Sequence, residues 1–397
     1  MPWSESKVVE ERSSLVRLVE RSGVPVVEAA RLFGVSRKTA FKWLALFREG
    51  GAALLADRSR APHASPGAYE PALRALLVEG RRAHPYWGPR KLIAFLTVRR
   101  PKLLLPAPST VGLWFSAEGL VRARRKLVKG ETIGGGPFPP VLAANDVWCT
   151  DYKGEFRVGN GELCYPLTLT DAHSRFLIRC TAMRHISGVR AQSELESAFK
   201  EHGLPTAMRS DNGSPFAAKG VGGFTMLSVW LLKLGVQLQR TTPGRPQENG
   251  AHERMHRTLK QETALPPKSS MARQQRAFDA FRYEYNYERP HESLENATPS
   301  ALFKPSARQM PKKLPELHYP TDHVVRVVDS RGYLRWKGQP TFLSEALKGE
   351  RIGIVESQLD GWWHLYFTHH ELGLLHASGK FVERIHRSSS QPQTVTK

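Results

Sequence analysis

The period of the apolar residues changes near Asp146, and no single layer of structure can satisfy the chain on both sides of that change. Upstream, Leu15, Val16, Leu18 and Val19 recur at helical spacing, residues 27–33 make a second helix that stops at Gly34, and Ser36 is placed to cap a third. Downstream, residues 147–158 alternate, Gly159, Asn160 and Gly161 form a hairpin turn, and residues 163–170 and 176–181 continue an antiparallel meander. Helices and strands then take turns: a helix over 189–202, a strand over 206–210, a helix over 224–234, a strand over 236–240 and a long helix over 248–262. At 397 residues the chain is also too long for one ordinary core. The expectation is a multidomain protein.

Breaks in composition suggest the domain limits. Residues 1–60 read as an all-α helix-turn-helix domain, ended by a linker rich in Arg, Ala, Pro and Ser. Residues 68–130 read as a second helix-turn-helix or winged-helix-like domain, with one helix beginning at Trp87-Gly88-Pro89-Arg90-Lys91 and another at Ser109-Thr110. A Gly/Pro stretch over 134–140 then leads to residues 141–303. Their three strands followed by alternating helices and strands give the order of a ribonuclease-H-like α/β fold, trailed by helices carrying Phe278, Phe281, Tyr285 and Tyr287. Short β-runs separated by Gly over 320–385 predict a small β-barrel, and residues 386–397 a polar, disordered tail.

The formal net charge of +21 favours a polyanionic partner. In the first helical domain the third helix would turn Arg37, Lys38, Thr39 and Lys42 toward a DNA groove while Phe41, Leu44 and Phe47 pack inward. Arg90 and Lys91 in the second domain, and the run Arg122, Arg124, Arg125 and Lys126 after it, suit contact with phosphates. No apolar run approaches the roughly 20 residues that span a bilayer, and residues 1–7 lack the apolar core of a signal peptide, so a cytoplasmic protein with no membrane partner is expected. Cys149, Cys164 and Cys180 are too few for a disulfide framework and form no CxxC, so they are expected to pack as small apolar residues in strands.

Transfer of a phosphodiester calls for charge stabilisation at the attacking and leaving oxygens, which two Mg²⁺ ions roughly 4 Å apart supply. Mg²⁺ prefers oxygen ligands, so carboxylates from separate elements must converge. Asp151 lies in the first strand, Asp211 at the end of the short strand, and Glu253 in the first turns of the long helix. Around them stand Trp148-Cys149-Thr150-Asp151-Tyr152, then Ser210-Asp211-Asn212-Gly213-Ser214-Pro215-Phe216, then Pro243-Gly244-Arg245-Pro246-Gln247-Glu248-Asn249-Gly250-Ala251-His252-Glu253-Arg254. As an ordered set these resemble the integrase core of insertion-sequence transposases and retroviral integrases.

That resemblance implies a metal-dependent DNA transposase whose catalytic and metal-binding triad is Asp151, Asp211 and Glu253, using Mg²⁺, or Mn²⁺ in its place, as two ions. It implies the terminal inverted repeats of a bacterial element and a target DNA as partners, a homo-oligomer on that DNA, and no small-molecule cofactor. Lys260 matches the family's helix lysine that approaches DNA, and Arg257, one turn from Glu253, could orient the carboxylate or touch phosphate. The interval of 42 residues between Asp211 and Glu253 is longer than usual for the family, and the excess is assigned to a loop insertion over 219–223. Glu248 is a rival third carboxylate, but it precedes the Asn-Gly pair that the family's ligand follows. Asp171 is read as a turn former bonding its own backbone.

Two other readings compete. His252-Glu253-Arg254-Met255-His256 is a literal H-E-x-x-H, which would make a zinc protease with Glu284 or Glu288 as a third ligand and leave the basic balance unexplained. Otherwise both histidines are expected as surface or DNA-facing contacts. A catalytically inactive, domesticated transposase acting only as a DNA-binding protein is the second alternative.

Overall fold

The computed structural model describes residues 8–57, 69–121, 138–152, 154–218, 220–242 and 246–384. The chain divides into two compact units, residues 1–70 and 71–397. The first is three helices, α1 (Val8–Ser22), α2 (Val26–Leu32) and α3 (Arg37–Gly50). Ser36 caps α3 by accepting the Thr39 backbone N–H at 3.1 Å, and Leu15, Val16, Ala30, Ala40, Leu44 and Leu55 close a small core. Phe41 departs from expectation. It is 55% exposed, because the inward stripe of α3 runs through Ala40, Leu44 and Phe47 and leaves Phe41 beside Lys42 on the outer side.

The second unit opens with α4 (Pro71–Ala83), α5 (Pro89–Arg99) and α6 (Pro108–Ala117), packed around Leu77, Trp87, Leu92, Val111 and Phe115. Over residues 69–121 no strand accompanies these helices, so no wing is seen there among the described residues; Arg122, Arg124, Arg125 and Lys126 lie outside them. Tyr86 donates its hydroxyl to the Gln261 carbonyl at 2.9 Å, and Arg99 pairs with Glu288 at 2.8 Å, which ties this helical segment to the elements that follow.

The central sheet holds β1 (Val147–Tyr152), β2 (Phe156–Arg157), β3 (Leu163–Asp171), β4 (Leu177–Met183), β5 (Ala207–Ser210) and β6 (Gln237–Arg240). β3 runs antiparallel to both β1 and β4, while β5 joins β1, and β6 joins β5, in parallel. Alternation sorts the two faces. Trp148, Leu167 and Leu169 meet α7 (Gly188–His202) and α8 (Met226–Lys233) through Phe199 and Trp230. On the opposite face Cys164, Leu177 and Cys180 meet α9 (Gly250–Thr263) and α10 (Met271–Tyr283) through Met255, Leu259 and Phe278. This is the ribonuclease-H-like order. All three cysteines are free and buried, and burial pushes the Cys149 thiol up to about 11 and that of Cys164 to about 12.

The C-terminal region corrects one expectation. β10 (Arg351–Glu356), β11 (Trp362–Phe367), β12 (His370–His376) and β13 (Phe381–Glu383) with β7 (Val324–Val327) form an open antiparallel sheet of order β13-β12-β11-β10-β7. β8 (Tyr333–Trp336) and β9 (Gln339–Phe342) form a separate ribbon. No pairing among the described residues closes these strands into a barrel; alternation along each strand sets which face is buried, not whether the two edges meet. The sheet instead covers its apolar face with Val221, Phe224, Val229 and Leu232 from the central fold. Residues 386–397, expected as a disordered tail, lie outside the described residues. No helix among the described residues is long and apolar enough to cross a membrane.

Candidate active site

Asp151 stands near the carboxyl end of β1, opposite Thr168 of β3. The β1–β5 ladder pairs Trp148 with Met208 and Cys149 with Arg209, and Asp211 is the residue directly after β5. Asp211 is exposed at its turn, and its Oδ1 accepts the Gly213 N–H at 3.1 Å. Glu253 sits in the first turn of α9, on the exposed side, and lines with Asp151, Tyr152, His256, Arg257 and Lys260 an open cleft of about 550 Å³. Two of the carboxylates and both cations expected on α9 thus share one cleft.

The histidines of the H-E-x-x-H run occupy the opposite side of α9 from Glu253 and are not surface contacts. His252 is 2% and His256 4% exposed, because 252, 255, 256 and 259 form the stripe that packs on the sheet. Thr168 binds this pair. Its hydroxyl donates to the Asp151 carbonyl at 3.1 Å and lies 2.8 Å from Nε2 of His252 and 2.6 Å from Nε2 of His256. One hydroxyl has one proton and two lone pairs, so both ring nitrogens must donate to it. Nδ1 of His252 then accepts from the Thr170 hydroxyl at 2.7 Å, which makes this ring neutral; burial lowers its pKa to about 3. Nδ1 of His256 faces Oδ2 of Asp151 at 3.7 Å.

Asp151, His252 and His256 do bring one ligand atom each within 4.8 Å of one another, yet both nitrogens of His252 are already committed to threonine hydroxyls. The nominated third zinc ligands are committed as well, Glu284 to His84 at 3.1 Å and Glu288 to Arg99 at 2.8 Å. That geometry disfavours the protease reading. Glu248 ties down the loop before α9 instead of joining the cleft, its Oε2 accepting the Thr242 N–H at 2.7 Å. Asp171 is fully buried; Oδ1 accepts from the Ser174 N–H and hydroxyl and Oδ2 from the Asn145 N–H, which makes it the turn former expected.

Of the remaining sequence candidates, Arg37, Lys38 and Lys42 are exposed on α3, while Thr39 is half-buried and spends its hydroxyl on Ser36 at 2.9 Å. Arg90 is exposed at the start of α5, and Lys91 turns into a separate cavity. Thr168 and Thr170 escaped the sequence reading, although their alternation with Leu167 and Leu169 on the strand after Asp151 was a usable sign.

Models of known domains match the chain in sequence order. A helix-turn-helix domain matches residues 11–63, integrase core domains match 142–246 and 234–299, and the C-terminal domain of IS481 family transposases matches 323–377. By these matches the chain carries a helix-turn-helix domain, an integrase core and a C-terminal domain like that of IS481 family transposases. An uncharacterized 31.7 kDa protein of insertion element IS407 from Burkholderia multivorans is 27% identical to this chain over 183 residues, 46% of this chain and 64% of that protein. An uncharacterized 39.2 kDa protein of insertion element IS476 from Xanthomonas euvesicatoria is 26% identical over 305 residues, 75% and 79% of the two chains. The chain therefore spans just under two thirds of the Burkholderia protein. Similar solved structures include the HTLV-2 integrase catalytic core domain in complex with magnesium in its trimeric form, at TM-score 0.33 and 13% identity, covering 41% of this chain and 97% of that one. The simian T-cell lymphotropic virus intasome in complex with PP2A regulatory subunit B56 gamma matches at TM-score 0.38 and 16% identity, over 73% and 91%.

Proposed function

We propose that this chain binds the ends of an insertion element, frees a 3′-hydroxyl at each, and joins that hydroxyl to target DNA. The observation that carries the reading is the cleft shared by Asp151 of β1 and Glu253 of α9, with Asp211 directly after β5, the strand parallel to β1. These carboxylates offer only hard oxygen donors, which fits Mg²⁺, with Mn²⁺ as a substitute, and does not fit a zinc protease. Bound divalent cations would supply positive charge at the attacking and leaving oxygens of a phosphodiester.

The chain's own residues do the rest. Asp151, Asp211 and Glu253 hold that charge in place, and the Thr168 hydroxyl fixes the backbone of Asp151 through its carbonyl. Arg257 and Lys260 line the same cleft and draw the DNA backbone toward it. The basic face of α3, with Arg37, Lys38 and Lys42, reads the element ends, with Arg90 and the run Arg122 to Lys126 as further phosphate contacts. Bringing two ends together calls for more than one copy of the chain on the DNA.

A strand-transfer assay with oligonucleotides carrying the element ends tests this. Asp151→Asn and Glu253→Gln should each lower Mg²⁺-dependent cleavage and joining by about a thousandfold or more while leaving end binding intact. Full strand transfer by either variant would refute the triad. Binding without any joining by the unaltered chain would leave the reading of a DNA-binding protein alone.

A further inference from the structure

A second cavity, of about 370 Å³, lies against the side of α9 that carries Ala251, Arg254 and Thr258, away from the carboxylate cleft. Its wall gathers cations from four parts of the chain: Lys91 from α5, Arg175 from the β3–β4 turn, Arg254 from α9, and Arg289 after α10, with the neutral ring of His291 beside it. Arg289 pairs with Glu262 at 2.6 Å, and both side chains of that pair are largely withdrawn from solvent. Arg175 and Arg254 make no ion pair among the described residues, and Glu292 is the one acid on the wall. Lys91 feels the crowding. Burial first, and then Arg289, lower its pKa to about 8, with Glu292 and Glu262 opposing. Like charges collected in a recess oppose folding unless an anion joins them, and guanidinium groups are shaped to grip phosphate oxygens in pairs.

We propose that this cavity is a phosphate site that holds one backbone phosphate of the element-end DNA behind the catalytic helix. The inference rests on the DNA-joining reading above and adds a position to it. The cavity and the carboxylate cleft flank one helix, whose diameter is about 10–12 Å. At about 3.4 Å of rise per nucleotide, the phosphate gripped by Lys91, Arg175 and Arg254 lies about three nucleotides from the scissile one.

End-binding affinity is measured with duplexes in which a single methylphosphonate removes one backbone charge, moved one nucleotide at a time through the terminal region. With the unaltered chain, one position about three nucleotides from the cut weakens binding roughly tenfold. In the Arg175→Gln, Arg254→Gln double variant that sensitivity disappears, overall affinity drops to match, and the salt slope of binding falls by about one. The charge-keeping Arg175→Lys, Arg254→Lys variant restores it. The double Gln variant should melt at or above the temperature of the unaltered chain, since removing like charges from a recess does not cost stability, and the double Lys variant, which keeps both charges, should melt close to the unaltered chain. The site is overturned if the double variant keeps the same profile of sensitive positions and the same salt slope as the unaltered chain. Failure of the unaltered chain to bind the ends at all would instead overturn the DNA-joining reading, and this site with it.

Discussion

Thr168 is the residue on which the floor of the cleft depends. One hydroxyl serves the Asp151 carbonyl and two buried imidazoles, so Thr168→Val would leave two buried N–H groups without acceptors. A cost of about 2–4 kcal/mol follows, read from urea unfolding, whereas Thr168→Ser should lose less than about 1 kcal/mol. If Val proves as harmless as Ser, the imidazoles have other acceptors. His291 sets a different dependence. Burial first, then the nearby Lys91, Arg289 and Arg175, hold its pKa near 4 against an ordinary 6.5, although the hydrogen bond that the ring donates to the Tyr285 carbonyl opposes them. Between those values the unfolded chain binds a proton that the folded chain refuses, so stability falls as pH drops from about 6.5 to about 4 and is unaffected by this group above that range. His291→Gln should flatten part of that slope in unfolding midpoints taken at pH 7, 5.5 and 4.5; an unchanged slope would show that the ring is accessible to protons in the fold.

At the scale of elements, the short π-turn after α10, Glu284–Glu288, does the work of a missing strand. Asn286 accepts the Leu177 N–H at 2.8 Å and donates to the Leu177 carbonyl at 3.0 Å, satisfying both backbone groups where β4 begins. Asn286→Ala strands both, and a loss of about 2–4 kcal/mol in chemical unfolding is expected. None of this is visible in the sequence, because it joins residues 109 apart. The order of helices and strands was legible, since it rests on local period, turn glycines and the Ser36 cap. Which side of a helix faces the sheet was legible only where apolar residues mark it. On α9 the buried stripe runs through two histidines, whose polarity hid it; on α3, Phe41 suggested burial at a position whose neighbours leave it outside. The candidate carboxylates were named from their local wording, whereas the cationic cavity had no such sign. Lys91, Arg175, Arg254 and Arg289 are brought together only by packing.

At the scale of the whole molecule, the longer interval before α9 acquires a use. Its glycine turn, Val221–Gly223, presents Val221 and Phe224 to the C-terminal sheet, where Phe224 meets the rings of Phe367 and His370 at 6.0 and 6.1 Å. Polar ties flank this joint. Gly222 donates its N–H to Glu383 at 2.9 Å, and Lys233 pairs with Glu350 at 2.9 Å with both side chains largely buried. The sheet is therefore held to the central fold by this glycine turn together with Val229, Leu232 and Lys233 of α8. Phe224→Ala removes the largest apolar group of the joint, at about 3–5 kcal/mol for a buried Phe. The loss should be local: amide exchange rises across β10, β11 and β12 while β1 and β3, buried between α7 and α9, keep their protection. An equal loss of protection in β1 and β3 would mean that the sheet and the central fold open only together, as one cooperative unit.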